Sequence, residues 1–533
     1  MSDDPRAEVR EDAQVLRDPI VRGVGSTETE RHLAKLAEGS FLNLWSYPNP
    51  YRDQKLSGSG DGKELCDLLV VCGKHIIIFS EKNIKWTDAE PSVAWSRWFK
   101  RAVVNAAQQI SGAERWISEF PDRIYLDKAC KTPFPIEFPE QGNRIFHKIV
   151  VARGAGEACK KYFEGGSGSF LVDASVSGKR HYSGDQQEIR PFTIGDIDPD
   201  GDYIHVLDDA SLDVVLSELD TITDLAEYLT KKAAFVRSGH LTIAHGEEDL
   251  LAYYMVRTND EGVHDFTPPD GGKWGDGQVI ALDGTHYRSL LSNPQYAAKK
   301  KADQVSYIWD LLITNFTEHM LGGTSIVADG FDYDLKKSEL AVRYMALEPR
   351  FHRRAHGEAV QGAMQLGWQN EIFFRAMISG ESASNNETGF FFLSMKYLDW
   401  MEQRGGYPHY RWMRQEYLLA YAKGMLVRYP YLKRVVGIAA EPPARGRGSS
   451  EDIGYVEQAE WSEDDIRTIN AHCRVLGILR DGYEERKYEG QEFPETTLKR
   501  GKTPPKPKRR YTRKQRKRMR ANQAKTAARS KDA

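Results

Sequence analysis

Hydrophobic spacing along the chain switches repeatedly between a helical and an extended period. Thr27 and Glu30 fit a T-x-x-E capping box, and Leu33, Leu36, Ala37 and Phe41 follow at helical spacing, so a helix is predicted from residues 26–27 onward. Tyr47-Pro48-Asn49-Pro50 ends it, and the Gly/Ser/Asp-rich stretch 55–63 reads as a loop. Residues 65–71 (LCDLLVV) and 75–79 (HIIIF) are short, apolar and β-branched. Cys72-Gly73-Lys74 joins them tightly enough for a hairpin. A long amphipathic helix is predicted over 93–117, with the stripe Trp95, Trp98, Ala102, Ala106, Ala113 and Trp116. Strands follow at 146–152, 169–172 and 203–206, then one or two helices over 212–232.

In the second half, helices are predicted at 247–256, 294–321, 340–365, 415–428 and 462–476, the last capped by Ser462. Strands are predicted at 390–396 and 435–440, and the Gly/Asp/Pro-rich residues 258–285 read as a long loop. The expected organisation is a loose leader (1–25), an α/β domain (26–245), a second α/β or α+β domain (246–490) and a basic tail (491–533), disordered unless bound.

Charge sharpens this picture. The 533 residues carry 74 Lys+Arg against 77 Asp+Glu, a net of −3, but the two signs are segregated. From Lys499 to Ala533 the net is +15, which leaves −18 for residues 1–498. The mean hydropathy is −0.58. No stretch reaches the ~18 uninterrupted apolar residues of a membrane span, and the acidic, polar N-terminus does not read as a secretory signal. The five cysteines form no CxxC pair, which argues against a disulfide framework or zinc finger and for a reducing cytoplasm. No phosphate-loop or dinucleotide-binding motif occurs, so a nucleotide-driven motor is not supported.

The chemistry concentrates between residues 30 and 109. Asp67 interrupts an apolar run, and burying its charge is costly unless it is paired. Residues i and i+2 share a strand face, so Ser80 and Lys82 point one way and Glu81 the other. Gln109 falls on the apolar stripe of its helix and Gln108 off it. Glu30 lies on the apolar side of the first helix, whereas Glu28 sits with His32 and Lys35 on the solvent side. Each has a plain structural counterpart. Glu30 is a capping residue, Asp67 a strand-mouth acid bonded to backbone, Lys82 a solvated strand end and Gln109 a buried amide.

Taken in order, Glu30, Asp67, Ser80-Glu81-Lys82 and Gln109 resemble the PD-(D/E)xK nuclease superfamily, over about 90 of the 533 residues. The resemblance implies a restriction-endonuclease-like domain, a mixed sheet flanked by helices. It also implies Mg²⁺- or Mn²⁺-dependent hydrolysis of DNA, by analogy in restriction or phage defence. A carboxylate-held Mg²⁺ orients the attacking water and neutralises charge on phosphorus, and a lysine assists as a point charge. The implied catalytic set is Glu30, Asp67, Ser80, Lys82 and Gln109, with Asp67, Glu30 and the Glu81 carbonyl at the metal. The family usually has an acid two residues before the lysine, and this chain has Ser80. Either Glu30 or Glu64 supplies the missing carboxylate, or Glu81 swings in at a bulge. The alternatives are a nuclease fold that binds nucleic acid without cutting it, and an interaction protein acting through its C-terminal half.

Other candidates are sparser. Cys66 and Cys72 read as core thiols, and Glu441 follows a strand like an α/β active-site residue or simply precedes its proline stop. His352 and His356 have the i,i+4 spacing of a metal pair, and Arg350, Arg353 and Arg354 offer a phosphate-contact surface. Thirteen Lys/Arg and no acid lie in 499–520, a stretch suited to DNA phosphates and conferring affinity rather than specificity. DNA against RNA, and the oligomeric state, stay open.

Overall fold

A computed structural model describes residues 15–55, 61–326, 334–380, 386–442, 450–458, 460–480, 488 and 490–495. The first helix, α1, spans Glu28–Phe41 and buries Leu33, Ala37 and Phe41. The Thr27 hydroxyl accepts the Glu30 N–H at 3.1 Å. The Glu30 carboxylate reaches back to the N–H of Ser26 at 2.8 Å, one residue before the cap.

The central sheet has five strands in sequence order: β1 (Ser46–Pro48), β2 (Leu68–Cys72), β3 (His75–Asn83), β4 (Ile145–Arg153) and β5 (Ile204–Asp208). Neighbours from β1 to β3 are antiparallel, and β4 runs parallel to both β3 and β5. The expected hairpin forms at β2–β3, and Gly73 turns it with φ +57°, a conformation that suits glycine. β3 runs four residues beyond the expected 75–79, because β4 pairs with its whole length from His75↔Ile145 to Asn83↔Arg153. Ser80, Glu81 and Lys82 therefore lie within a strand rather than past its end. Asp67, read as a strand residue, sits at a bend immediately before β2.

The helix expected at 93–117 begins earlier. Its parts are α2 (Pro91–Phe99), a π-helical turn (Lys100–Val104) and α3 (Asn105–Glu119). Pro91 suits a first helical position, and the Glu90 carboxylate accepts the Ser92 and Val93 N–H groups.

A second sheet orders the strands Ile280–Leu282, Leu241–Ala244, Leu171–Ser177 and Thr193–Asp196. Residues 258–285 thus contribute a strand, and this sheet crosses residue 245. A third sheet orders Ile372–Met377, Thr388–Met395, Arg434–Ala440 and Glu451–Glu457. Along Thr388–Met395, Phe390 and Phe392 join the core shared with the central sheet. Phe391 and Leu393 face the core under the helices Gly406–Arg428 and Glu463–Leu476. The helix expected over 340–365 is two, Leu335–Ala346 and Arg350–Gly367, interrupted at Pro349. The chain is a mixed α/β protein with several sheets. Among the described residues no helix is long and apolar enough to cross a membrane.

Several expectations change here. Arg350, Arg353 and Arg354 are 5, 1 and 2 % exposed and offer no phosphate-contact surface. Asp310 takes Arg350 and Arg353 at 2.6 Å each. Asp220 takes Arg350 at 2.8 Å, and the Gln491 and Glu492 carbonyls take Arg354. His352 and His356 turn ring nitrogens to one Glu348 oxygen, at 3.0 and 3.2 Å, so those nitrogens are committed. Cys66 and Cys72 are fully buried, and Glu441 is buried with the Tyr407 hydroxyl donating to it at 3.0 Å. Residues 491–495 are not free tail, since Glu492 meets His264 at 2.7 Å and Lys299 at 3.4 Å. In the leader, residues 15–25 form no helix or strand, and Ile20 N–H donates to the Leu321 carbonyl at 2.8 Å. Residues 1–14 and the basic stretch 499–520 expected to contact DNA lie outside the described residues.

Asp310 holds two buried guanidiniums. Asp310→Ala should therefore lower the unfolding free energy by about 3–5 kcal/mol, because uncompensated buried charge is left behind. Urea unfolding followed by circular dichroism measures this, and a loss below about 1 kcal/mol would contradict it.

Candidate active site

Asp67 is pinned before its side chain is considered. Its N–H donates to the Phe79 carbonyl at 3.2 Å, and its carbonyl accepts the Asn49 N–H at 3.0 Å. The carboxylate, 5 % exposed, must find donors where it stands. One oxygen accepts the Glu81 N–H at 2.5 Å and lies 3.4 Å from the Lys82 ammonium. That ammonium also donates to the Gln109 carbonyl oxygen at 2.9 Å, and the Ser80 hydroxyl donates to the same oxygen at 2.9 Å. Ser80 and Lys82 thus share one face of β3 and meet one residue of α3.

Glu81 faces the other way. Its carboxylate takes the Arg153 Nε–H at 2.6 Å across the β3–β4 pair. The register through Ser80↔Val150, Glu81↔Val151 and Lys82↔Ala152 is unbroken, so no bulge turns it toward Asp67. The expectation that the Glu81 side chain swings in at a bulge is therefore corrected. What Glu81 offers Asp67 is its backbone N–H.

Two further acids complete the cluster. Burial first, then a hydrogen bond and Coulomb repulsion from Asp67, push the Glu64 carboxyl up to about 7. Glu30 is held below its ordinary value: burial works against the charge, but hydrogen bonds from Asn49, Ser26 and Thr27 outweigh it. The Asn49 amide donates to Glu30 at 3.0 Å and also serves Glu64, joining α1 to the strand mouth. The structure thus brings Glu30, Asp67, Ser80, Lys82 and Gln109 into one polar cluster, adds Glu64 and Asn49, and leaves the Glu81 carboxylate outside.

The donor set suits a hard divalent cation. Burial and the neighbouring Asp67 raise the Glu64 carboxyl, and a cation beside it would relieve the same repulsion. Glu30 is the third acid within reach of their field. Another set that could hold a cation is Asp249, Asp283 and His286, with His286 Nδ1 4.0 and 3.6 Å from the two acids. It lies apart from the hairpin and says nothing for Mg²⁺.

Beside the acids opens a cleft of about 730 Å³, lined by Glu64 and Gln109 and by Arg52, Lys63, Arg115 and Trp116 among others. The cations here escaped the sequence reading. Their signal was the spacing of Gln108, Gly112, Arg115 and Glu119, which share one side of a helix but interrupt no apolar run. No protein-family model, no curated protein and no solved structure gives a significant match to this chain.

The Glu64 proton sets a pH dependence. Its folded value of about 7 stands above its ordinary 4.5, so the metal-free folded state binds more protons than the unfolded chain between these pH values. Stability in EDTA should therefore fall as pH rises through that window, and Glu64→Gln should remove the fall. Mn²⁺ affinity should rise over the same window, since the cation displaces the proton. Thermal melts and calorimetry across the window check both, and a flat wild-type profile would contradict the raised Glu64 carboxyl.

Proposed function

We propose that the chain is a metal-dependent nuclease that hydrolyses phosphodiester bonds in DNA, in the manner of the PD-(D/E)xK enzymes it resembles. The observation that carries this reading is the meeting of Asp67 and Lys82 across the β2–β3 hairpin, beside a second acid, Glu64, whose carboxyl burial and Asp67 push up to about 7. The order of helix, hairpin, helix and parallel strand around them agrees with it.

In this reading Asp67 and Glu64 hold Mg²⁺ or Mn²⁺, with Glu30 supporting them through Asn49. The bound cation would neutralise charge on the scissile phosphate and lower the pKa of a water. Lys82, 29 % exposed, keeps its ammonium between Asp67 and Gln109, where it can donate to a phosphate oxygen or to the attacking water. Gln109 orients that ammonium. The tail residues 499–520 add sequence-independent phosphate contacts.

A second reading is a nucleic-acid-binding module of the same fold without catalysis. Ser80 favours it: fully buried and donating to Gln109, it fills with a neutral group the position where the family carries an acid.

Incubation of the full chain with plasmid and Mg²⁺ or Mn²⁺ separates the two. Nicking that falls on the order of a hundredfold or more in Asp67→Ala and in Lys82→Ala, with circular dichroism unchanged, is the result expected. Full activity in a folded Asp67→Ala variant would sink the assignment. Binding without nicking under either metal would establish the second reading.

A further inference from the structure

The cleft beside the acids has an electrostatic problem that the protein does not solve for itself. Arg52 and Lys63 are directly opposed in the antiparallel pair of Tyr51–Asp53 with Gly62–Glu64. Like charges placed so repel. Arg115 is exposed on α3, and burial first, then the Arg115 charge, lowers the Arg52 guanidinium below its ordinary value. Among the described residues neither arginine has a carboxylate partner, and the Arg52 Nε–H is buried without an acceptor.

The surroundings hold Arg52 in place. Its guanidinium lies 5.3 Å from the Trp116 ring centroid, and Arg123 stacks on the same ring at 5.3 Å. Arg123 is in turn tied to the Asp53 and Lys55 carbonyls. A stacked guanidinium loses little freedom when an anion arrives. The floor is kept open by Gly112: a Cβ built there meets nothing within 4 Å.

We propose that this cleft is a phosphate subsite for a nucleic-acid strand, with Arg52 and Arg115 on one backbone phosphate. Two convergent guanidiniums supply paired N–H donors and the opposite charge. Because Glu64 and Gln109 belong both to the cleft wall and to the acid cluster, a strand held here would run alongside that cluster. The subsite takes its substrate class from the nuclease reading and supplies what that reading lacks, a group that positions the strand.

The test is binding of a fluorescent oligodeoxythymidylate to the full chain by anisotropy, in EDTA and over a salt series, so that it does not depend on cleavage. Arg52→Ala and Arg115→Ala should each weaken binding about tenfold. Replacing both arginines together should flatten the slope of log K against log salt by about 0.7, the share of the one single-strand phosphate they hold. Gly112→Met blocks the floor without touching a cation and should weaken binding while leaving the melting temperature unchanged or raised. Inorganic phosphate at equal phosphate concentration should not displace the strand. Unchanged affinity in the two arginine variants and an unchanged slope in their double variant would overturn the proposal, as would full binding by a folded Gly112→Met or displacement by free phosphate. Loss of binding in these variants together with an absence of metal-dependent nicking would leave the subsite standing and refute the nuclease reading.

Discussion

The two-sided pairing of β3 governs everything around the site. It is antiparallel to β2 on one edge and parallel to β4 on the other, over its full nine residues on the β4 side. A strand bonded on both edges cannot slip by one residue without inverting which side chains face the core. Ile76, Ile77, Ile78 and Phe79 are all fully buried, so either face would object. With the register locked, the alternation continues through Ser80, Glu81 and Lys82. Lys82 is delivered to Asp67 and Glu81 to Arg153 as a geometric consequence.

That delivery explains how an acidic cluster survives in a fold that buries it. Asp67 is satisfied by a backbone N–H and an ammonium, Glu30 by a side-chain amide and the α1 N-terminus, and Glu81 by a guanidinium. Glu64 is left mainly with its acidic neighbours, and its carboxyl is pushed up to about 7. Inside the cluster Asp67 and Glu30 are thus held by fixed donors, and Glu64 is the acid whose charge is least compensated. A cation can enter there without dismantling the rest, because the donors that hold Asp67 and Glu30 are anchored to strand and helix backbone. Ser80 fits the same logic. A carboxylate on its face of β3 would sit within reach of Gln109 and Lys82 and compete for the ammonium that Asp67 uses.

The strands and helices with strong local signals were legible in the sequence: the capped first helix, the β2–β3 hairpin and the strand at Arg434–Ala440. The strands at Ile372–Met377, Glu451–Glu457 and Ile280–Leu282 were not, because their formation depends on pairing with distant partners rather than on local alternation. The end of β3 was misjudged for the same reason. At the site, alternation placed Ser80 and Lys82 together, and the apolar stripe placed Gln109 beside them. The Glu81 bulge found no support because β4 pairs through it. Arg350, Arg353 and Arg354 show the opposite error. A run of cations reads as a surface in one dimension, and only the fold shows that Asp303 and Asp310 meet it from other helices and Asp220 from a loop.

The charge of the chain poses a last question, since a body carrying −18 over residues 1–498 is a poor host for a polyanion. Net charge is the wrong scale on which to answer it. At physiological salt the field of an exposed group fades within about 8 Å, so a strand entering the cleft responds to the groups lining it. Those groups differ in depth: the acids Asp67, Glu64 and Glu30 lie half-buried or deeper at the strand mouth, and Lys63, Arg115 and Glu119 lie exposed on the cleft wall. A phosphate at that wall would meet two exposed cations and one exposed carboxylate, and it would meet the deeper carboxylates only past them. Were a divalent cation held at Glu64, it would offset that deeper charge, and anion affinity at the cleft would then be linked to metal affinity at Glu64.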